Sequence, residues 1–271
     1  MNVNTVTILA TLIDRLDRAA NAGTEMIPWA CPVPSFGDLW RSRVATLGLN
    51  PSNREFADEA GNELQGGSRR FPTLKSLGLG SWSEVDTRHL RLILDSCREY
   101  FARNPYNRWF KRLDQVVAGT NTSYYDVTNR ACHLDLIPYA TECKWTKLTK
   151  RQRSSLLAIA GDTLGLLLRD APVETLILNG KGVVEEFQEI AAIRLERYRM
   201  ADWSLPRRTG ANVSGFAYRG VVDALSGIRL GHNLLILGFN HNLQSSFGVT
   251  VNVICSIRAW ITGAVRESLR R

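Results

Sequence analysis

The chain has 271 residues and no run of 18 apolar side chains, so no membrane-spanning helix is expected. Its start lacks the basic segment and apolar run of a secretory leader, and a cytoplasmic location is expected. Cysteine is scarce. Cys31, Cys97, Cys132, Cys143 and Cys255 are odd in number, and no two stand in Cys-x-x-Cys spacing. This argues against a disulfide framework, a zinc ribbon and an iron–sulfur cluster. With 4 histidines there is little material for a His-rich metal site, so neither metal nor cofactor is expected. No Gly-x-Gly-x-x-Gly fingerprint and no Walker motif occurs, which weakens the case for a hydrolase or transferase of small nucleotides.

What the chain does have is positive charge, 34 Lys+Arg against 26 Asp+Glu, net +8. A basic surface points to a polyanion partner, with nucleic acid the leading class. A hydrophobic content of 44% over this length can bury one sizeable core, and no internal repeat is visible. One domain over 1–271 is expected, an N-terminal helical segment over 1–25 docked on a core over 26–271, as a monomer.

Along the chain, Val6, Leu9, Leu12, Ile13 and Leu16 have helical spacing within 3–21. The run Val44 to Leu47 reads as a buried strand, broken at Gly48 and closed by Pro51. Residues 53–70 are polar and Gly-rich and read as a mobile loop. Helical stripes follow over 87–101 and 109–117, after a helix or turn beginning at 71–79. Tyr124 to Thr128 reads as a second central strand, closed by Asn129. A helix over 151–168 leads to a third strand, Val173 to Leu178, and another helix over 183–193. Residues 195–220 form a basic insertion with strand character. A fourth strand over 233–237 precedes a loop over 238–248 and a closing helix over 251–271. Strands alternating with helices predict a three-layer α/β/α fold with a mostly parallel central sheet. In such sheets the loops past the strand ends share one ligand-binding edge, and Asn50, Asn129, Asn179 and 240–246 would meet there.

Read together, Pro-Val-Pro-Ser-Phe-Gly-Asp (32–38), Gly48-Leu49-Asn50-Pro51-Ser52, Arg69-Arg70-Phe71, Asp126-Val127-Thr128-Asn129, Ile177-Leu178-Asn179-Gly180 and Gly238-Phe239-Asn240-His241-Asn242-Leu243-Gln244-Ser245-Ser246 follow an order that resembles the uracil-DNA glycosylase superfamily. The Pro-Val-Pro-x-Phe-Gly-Asp segment is similar to the iron–sulfur branch. Gly-Leu-Asn-Pro-Ser is closer to the Gly-x-Asn-Pro motif of the mismatch-specific and single-strand-selective branches. The resemblance covers roughly residues 28–260 and implies a glycosylase-like fold, DNA as partner, and hydrolysis of a base from its sugar. It implies that Asn50 orients the attacking water, with Gly48 and Leu49 beside the base. Phe71, or its rival Phe56, would stack on the everted base, and Asn129 would read the base edge. His241 would support charge on the departing base. Leu243 and Gln244 fall where the family inserts a wedge. Ser52, Asn242, Ser245 and Ser246 suit contacts to DNA.

These roles fit the chemistry. A base must leave the stack for an enzyme to reach it. An amide offers both a donor and an acceptor to a base edge. A departing anion is stabilised by a donor aimed at its oxygen. Two departures stand out. Asn50 replaces the aspartate of the fastest members, and a carboxylate near a cationic sugar is worth ~4 kcal/mol at 4 Å and an effective dielectric near 20, or roughly three decades in rate. Either catalysis is slow or the base leaves more easily than uracil. Motif two, Asn-His-Asn-Leu-Gln-Ser-Ser, replaces His-Pro-Ser. The long 53–70 loop suits a bulkier pyrimidine, such as a modified cytosine. Each position also has a bland reading: Asn129 as a cap, Phe71 as core, His241 as a loop histidine, His133-Leu134-Asp135 as structural, and Lys144-Trp145-Thr146-Lys147 and Arg207-Arg208 as solvated charge. The competing function is a DNA-binding module that keeps the fold without the reaction.

Overall fold

Every residue of Val44–Gly48 (β1) is buried, as a strand covered on both faces must be. The computed structural model describes residues 3–19, 23–207 and 209–270. In it β1 is joined by Ala131–Asp135 (β2), Thr175–Asn179 (β3), Glu196–Leu205 (β4), Val213–Leu225 (β5) and Ile228–Phe239 (β6). The sheet order is β2-β1-β3-β6-β5-β4. β1, β2, β3 and β6 are mutually parallel, and β5 runs antiparallel to both β6 and β4. β5 and β6 join through Ser226-Gly227, both at positive φ, the two-residue geometry that matches strand twist.

The helices are α1 (Val3–Ala19), α2 (Leu74–Leu77), α3 (Thr87–Arg98), α4 (Tyr100–Arg103), α5 (Asn107–Val117), α6 (Lys150–Ala160), α7 (Thr163–Arg169), α8 (Lys181–Ile190) and α9 (Val251–Ser268). Thr46, His133, Ile177 and Leu237 lie in one row across the parallel strands and share one face. On that face α5 brings Trp109 and Phe110 against His133, and α9 packs on α5, β4 and β6. On the other face Val184 of α8 lies over Gly238, α7 packs on β6, and α1 packs on α7. The result is the three-layer α/β arrangement with a mostly parallel sheet. Among the described residues no helix is long and apolar enough to cross a membrane. The thiols of Cys31, Cys97 and Cys132 are buried, and desolvation pushes those of Cys97 and Cys132 up to about 12.

Several elements differ from the expectation. Tyr124 to Thr128 is not a strand. The Asp126 carboxylate accepts from the N–H groups of Thr128 and Asn129, closing a local turn that competes with any ladder. The second strand begins instead at Ala131. The helix expected over 151–168 is broken at Gly161-Asp162 into α6 and α7, and Asp162 is held by Arg15 of α1. The stripe over 87–101 divides at Glu99 into α3 and α4. The basic insertion is the long β4–β5 hairpin. Segment 53–70, expected to be mobile, is tied down: Arg70 donates to the carbonyls of Arg54 and Asn104, Asn104 donates to those of Gly67 and Ser68, and Leu64 N–H bonds Phe56. Positions 20 and 21 of the expected first helix, position 271 of the last, and Arg208 lie outside the described residues.

Candidate functional site

Because β1, β2, β3 and β6 are parallel, they end on one edge, at Gly48, Asp135, Asn179 and Phe239. β4 is antiparallel to β5, which is antiparallel to β6, so β4 also ends here. The loops beyond carry Arg54, Lys144, Lys147, Lys181 and Arg207, a basic rim with Glu142 and Glu185 among them.

Asn50 stands two residues past β1, half-buried. Its Nδ2 donates to Thr141 Oγ1 at 2.9 Å and lies near the carbonyls of Tyr139 and Pro51. The amide orientation is forced. Thr141 spends its one hydroxyl hydrogen on the Cys143 carbonyl, so its oxygen can only accept from Asn50. Every neighbour of Nδ2 is an acceptor, and among the described residues no donor reaches Oδ1. The Ser52 hydroxyl accepts from Arg54 N–H and caps the short 53–55 turn. Leu49 is half-buried and Gly48 fully so.

Beside Gly48 the edge holds a set of buried ionisable groups. Asp135 and His133 are 6% and 2% exposed. His133 Nδ1 lies 2.7 Å from Thr46 Oγ1, which lies 2.6 Å from the Tyr124 hydroxyl. Tyr124, Thr46 and His133 thus form a continuous buried row, and His133 Nε2 faces Asp135 Oδ1 at 3.4 Å. A Cβ at position 48 would be driven into Asp135 Oδ1 and sit 3.0 Å from His133 Nε2, so this packing requires glycine there. Glu55, 3% exposed, accepts from Tyr100 OH at 2.8 Å, with Arg70 at 3.8 Å. Desolvation raises its pKa to about 7, against the downward pull of the Tyr100 hydrogen bond and Arg70, and the charge of Asp135 adds to the rise.

The expected site residues do not all converge. Asn129 precedes β2 rather than ending it, is exposed, and belongs to the opposite edge of the sheet. Phe71 and Phe56, both 1% exposed, are core rings: Phe71 stacks on Tyr100 at 5.2 Å and meets Phe36 edge-on at 5.4 Å. His241 follows β6 on the correct edge but turns away from β1. Its Nε2 lies 2.6 Å from the Trp203 carbonyl of β4. Burial lowers its pKa. The neutral ring therefore spends its N–H on that carbonyl and keeps only an acceptor, Nδ1, so it cannot donate to a departing base in this arrangement. Asn50 is anchored on the β2 flank and His241 on the β4 flank.

The motif-two loop is largely self-supporting. Asn242 Oδ1 accepts from the N–H groups of Gln244 and Ser245 and from the Ser245 hydroxyl. Leu243 is fully buried, which its expected part as a wedge does not fit. Gln244 accepts from Asn179 Nδ2 at 2.9 Å and donates to the Trp109 carbonyl at 3.1 Å, tying the loop to β3 and α5. Phe247, 61% exposed, is the large apolar side chain that this loop does present. It lines an open cleft of about 680 Å³ with Pro206, Arg207, Thr209, His241 and Ser246.

Asp135, His133, Glu55 and Asn179 are functional candidates that the motifs do not single out. The signal that could have found the first two is alternation: in Ala131 to Asp135, polar residues recur at every second position of a short segment. Among the described residues no group of three or more His, Cys, Asp or Glu side chains is placed to hold a metal ion. Comparison with known proteins finds no family model that matches the chain and no curated protein that matches it.

Proposed function

We propose that the protein is a DNA glycosylase that hydrolyses the bond between a pyrimidine and its sugar. The observation that carries the reading is Asn50: an amide whose Nδ2 is anchored on Thr141 Oγ1, leaving Oδ1 without a donor among the described residues, just past the carboxyl end of a central parallel strand. A fixed acceptor there holds a water by one hydrogen and aims its lone pair. The water oxygen bonds to the sugar C1′ as the C1′–N bond breaks, the base leaves with the electron pair, and the water proton passes to solvent or to the base. Preorganised positioning of this kind is a recognised source of rate. The basic rim supplies the phosphate contacts that everting a base requires. The resemblance of Gly48-Leu49-Asn50-Pro51-Ser52 to glycosylase motif one supports the same reading.

The test is base release from single- and double-stranded oligonucleotides carrying uracil, mismatched thymine, or hydroxymethylated or glucosylated cytosine. Release by the wild-type protein and a loss of about 100-fold in Asn50→Ala are expected. If the wild type releases no base from any of them, the reaction is wrong.

A second reading, DNA binding without cleavage, is favoured by one observation: the rings of Phe71 and Phe56 are packed in the core, and the His241 N–H is already spent. Salt-dependent binding unchanged in Asn50→Ala, with no product, would establish it.

A further inference from the structure

Asp135 is more than nine-tenths buried, yet among the described residues no hydrogen bond reaches its carboxylate. Its ion-pair contact, His133 Nε2 at 3.4 Å, is not a formed hydrogen bond. A carboxylate is acceptor-only, so any partner it takes is a hydrogen-bond donor. Two other features show that the surroundings are built for it. Position 48 carries no side chain, and any Cβ there would strike Asp135 Oδ1. Tyr124, Thr46 and His133 form a buried hydrogen-bonded row that sets His133 Nε2 beside the carboxylate. Asp135 is also the last residue of β2, paired with Gly48 and one short turn from Asn50. A partner that completes Asp135 is therefore a hydrogen-bond donor and arrives at the strand-end edge.

We infer that Asp135 is the specificity-determining residue of this site and accepts a hydrogen bond from the exocyclic amino group of a bound nucleobase. The site then takes an amino-bearing base, a cytosine or its 5-substituted derivatives, in preference to uracil or thymine. This deepens the glycosylase reading and rests on it for the ligand class. The physical reason is donor and acceptor matching. Cytosine offers an amine where uracil offers a carbonyl oxygen. A carboxylate set against that oxygen would face acceptor with acceptor in a desolvated site, and mispaired buried polar groups discriminate strongly. Glu55 is a second buried carboxyl near enough to feel the charge of Asp135.

The test is binding rather than turnover. Duplexes are prepared with one unpaired cytosine, 5-hydroxymethylcytosine or uracil opposite an abasic gap, and Kd is measured at one fixed salt concentration. The wild type is expected to bind the cytosine-type duplexes about tenfold or more tightly than the uracil duplex. Asp135→Asn, which can offer a donor to a carbonyl, is expected to lose or reverse that preference. His133→Gln serves as a second variant, expected to weaken the preference without reversing it, should Asp135→Asn fold poorly. Equal wild-type binding of all duplexes, or tighter binding of uracil, overturns the inference. So does a preference that survives in folded Asp135→Asn. A cytosine preference without base release would leave the inference standing and sink the catalytic reading, whereas release from uracil with no cytosine preference would do the opposite.

Discussion

At the scale of single residues, the closest polar packing lies where β1 ends, around Gly48 and Asn50. The Asn50 amide sits against three acceptors, so Asn50→Asp would not restore the faster enzyme of the resemblance. A carboxylate there would set oxygen against the Thr141 hydroxyl oxygen and the Tyr139 and Pro51 carbonyls. A loss of roughly 1–3 kcal/mol in folding stability and no gain in base release are expected. Chemical denaturation with parallel release assays checks both, and an Asn50→Asp variant that is faster and equally stable would refute this. Gly48→Ala is expected to destabilise by crowding the Asp135 carboxylate, and combining it with Asp135→Ala should recover much of the loss. A double-mutant cycle showing no coupling would mean that the two positions do not interfere.

Glu55 gives a pH signature with a definite sign. Its folded pKa of about 7 lies above the ordinary value of 4.5, so between these values the folded protein binds more protons than the unfolded chain. The contribution of Glu55 is fully present below about pH 4.5 and is lost as pH rises through about 7, an effect of about 3 kcal/mol for a fully buried group. Glu55→Gln, which still accepts from Tyr100, should flatten this fall. Thermal melts of both proteins at pH 5 and pH 8 test it, and parallel curves would remove Glu55 as the cause.

At the scale of elements, most strands and helices are legible because their side chains obey simple periods. The β1 and β3 runs are short and mostly apolar, α1 and α5 carry clear stripes, and these form close to their expected positions, whereas β6 starts at Ile228, five residues before the expected fourth strand, because its polar first half pairs with β5 in the hairpin. β2 is not legible. Its polar members His133 and Asp135 point into a desolvated layer and read like surface, whereas Tyr124 and Tyr125, which look like strand residues, precede the Asp126 turn. The edge position of Asn50 is readable because Gly and Pro punctuate it. The orientation of His241 is not, because Trp203 lies 38 residues away in sequence, on a strand the pattern marks only as strand-like. Segment 53–70 looks mobile because its order comes from scattered polar contacts, those of Arg70 and Asn104 among them, rather than from an apolar period. Arg70→Ala is expected to raise proteolysis and hydrogen exchange within 53–70 while leaving the β-sheet amides protected. Uniform loss of protection would instead assign Arg70 a global role.

At the scale of the whole molecule, a net charge of +8 and a rim of cations past the strand ends set the expected response to salt. DNA affinity should fall steeply as ionic strength rises, and Lys144→Ala with Lys147→Ala should shallow that slope without changing which base is preferred. The two borders of the sheet are finished differently. Along β2, the chain's own segment seals the border: Phe36 exchanges backbone hydrogen bonds with His133, and Val33 N–H bonds Pro138. Along β4, Glu196, Arg197, Tyr198 and Arg199 stand exposed in succession. Neither border offers the bare, uncharged ladder on which another copy would build, so stacking of subunits into filaments is resisted from both sides, and the molecule can be concentrated next to a long polyanion without recruiting its own kind through sheet extension.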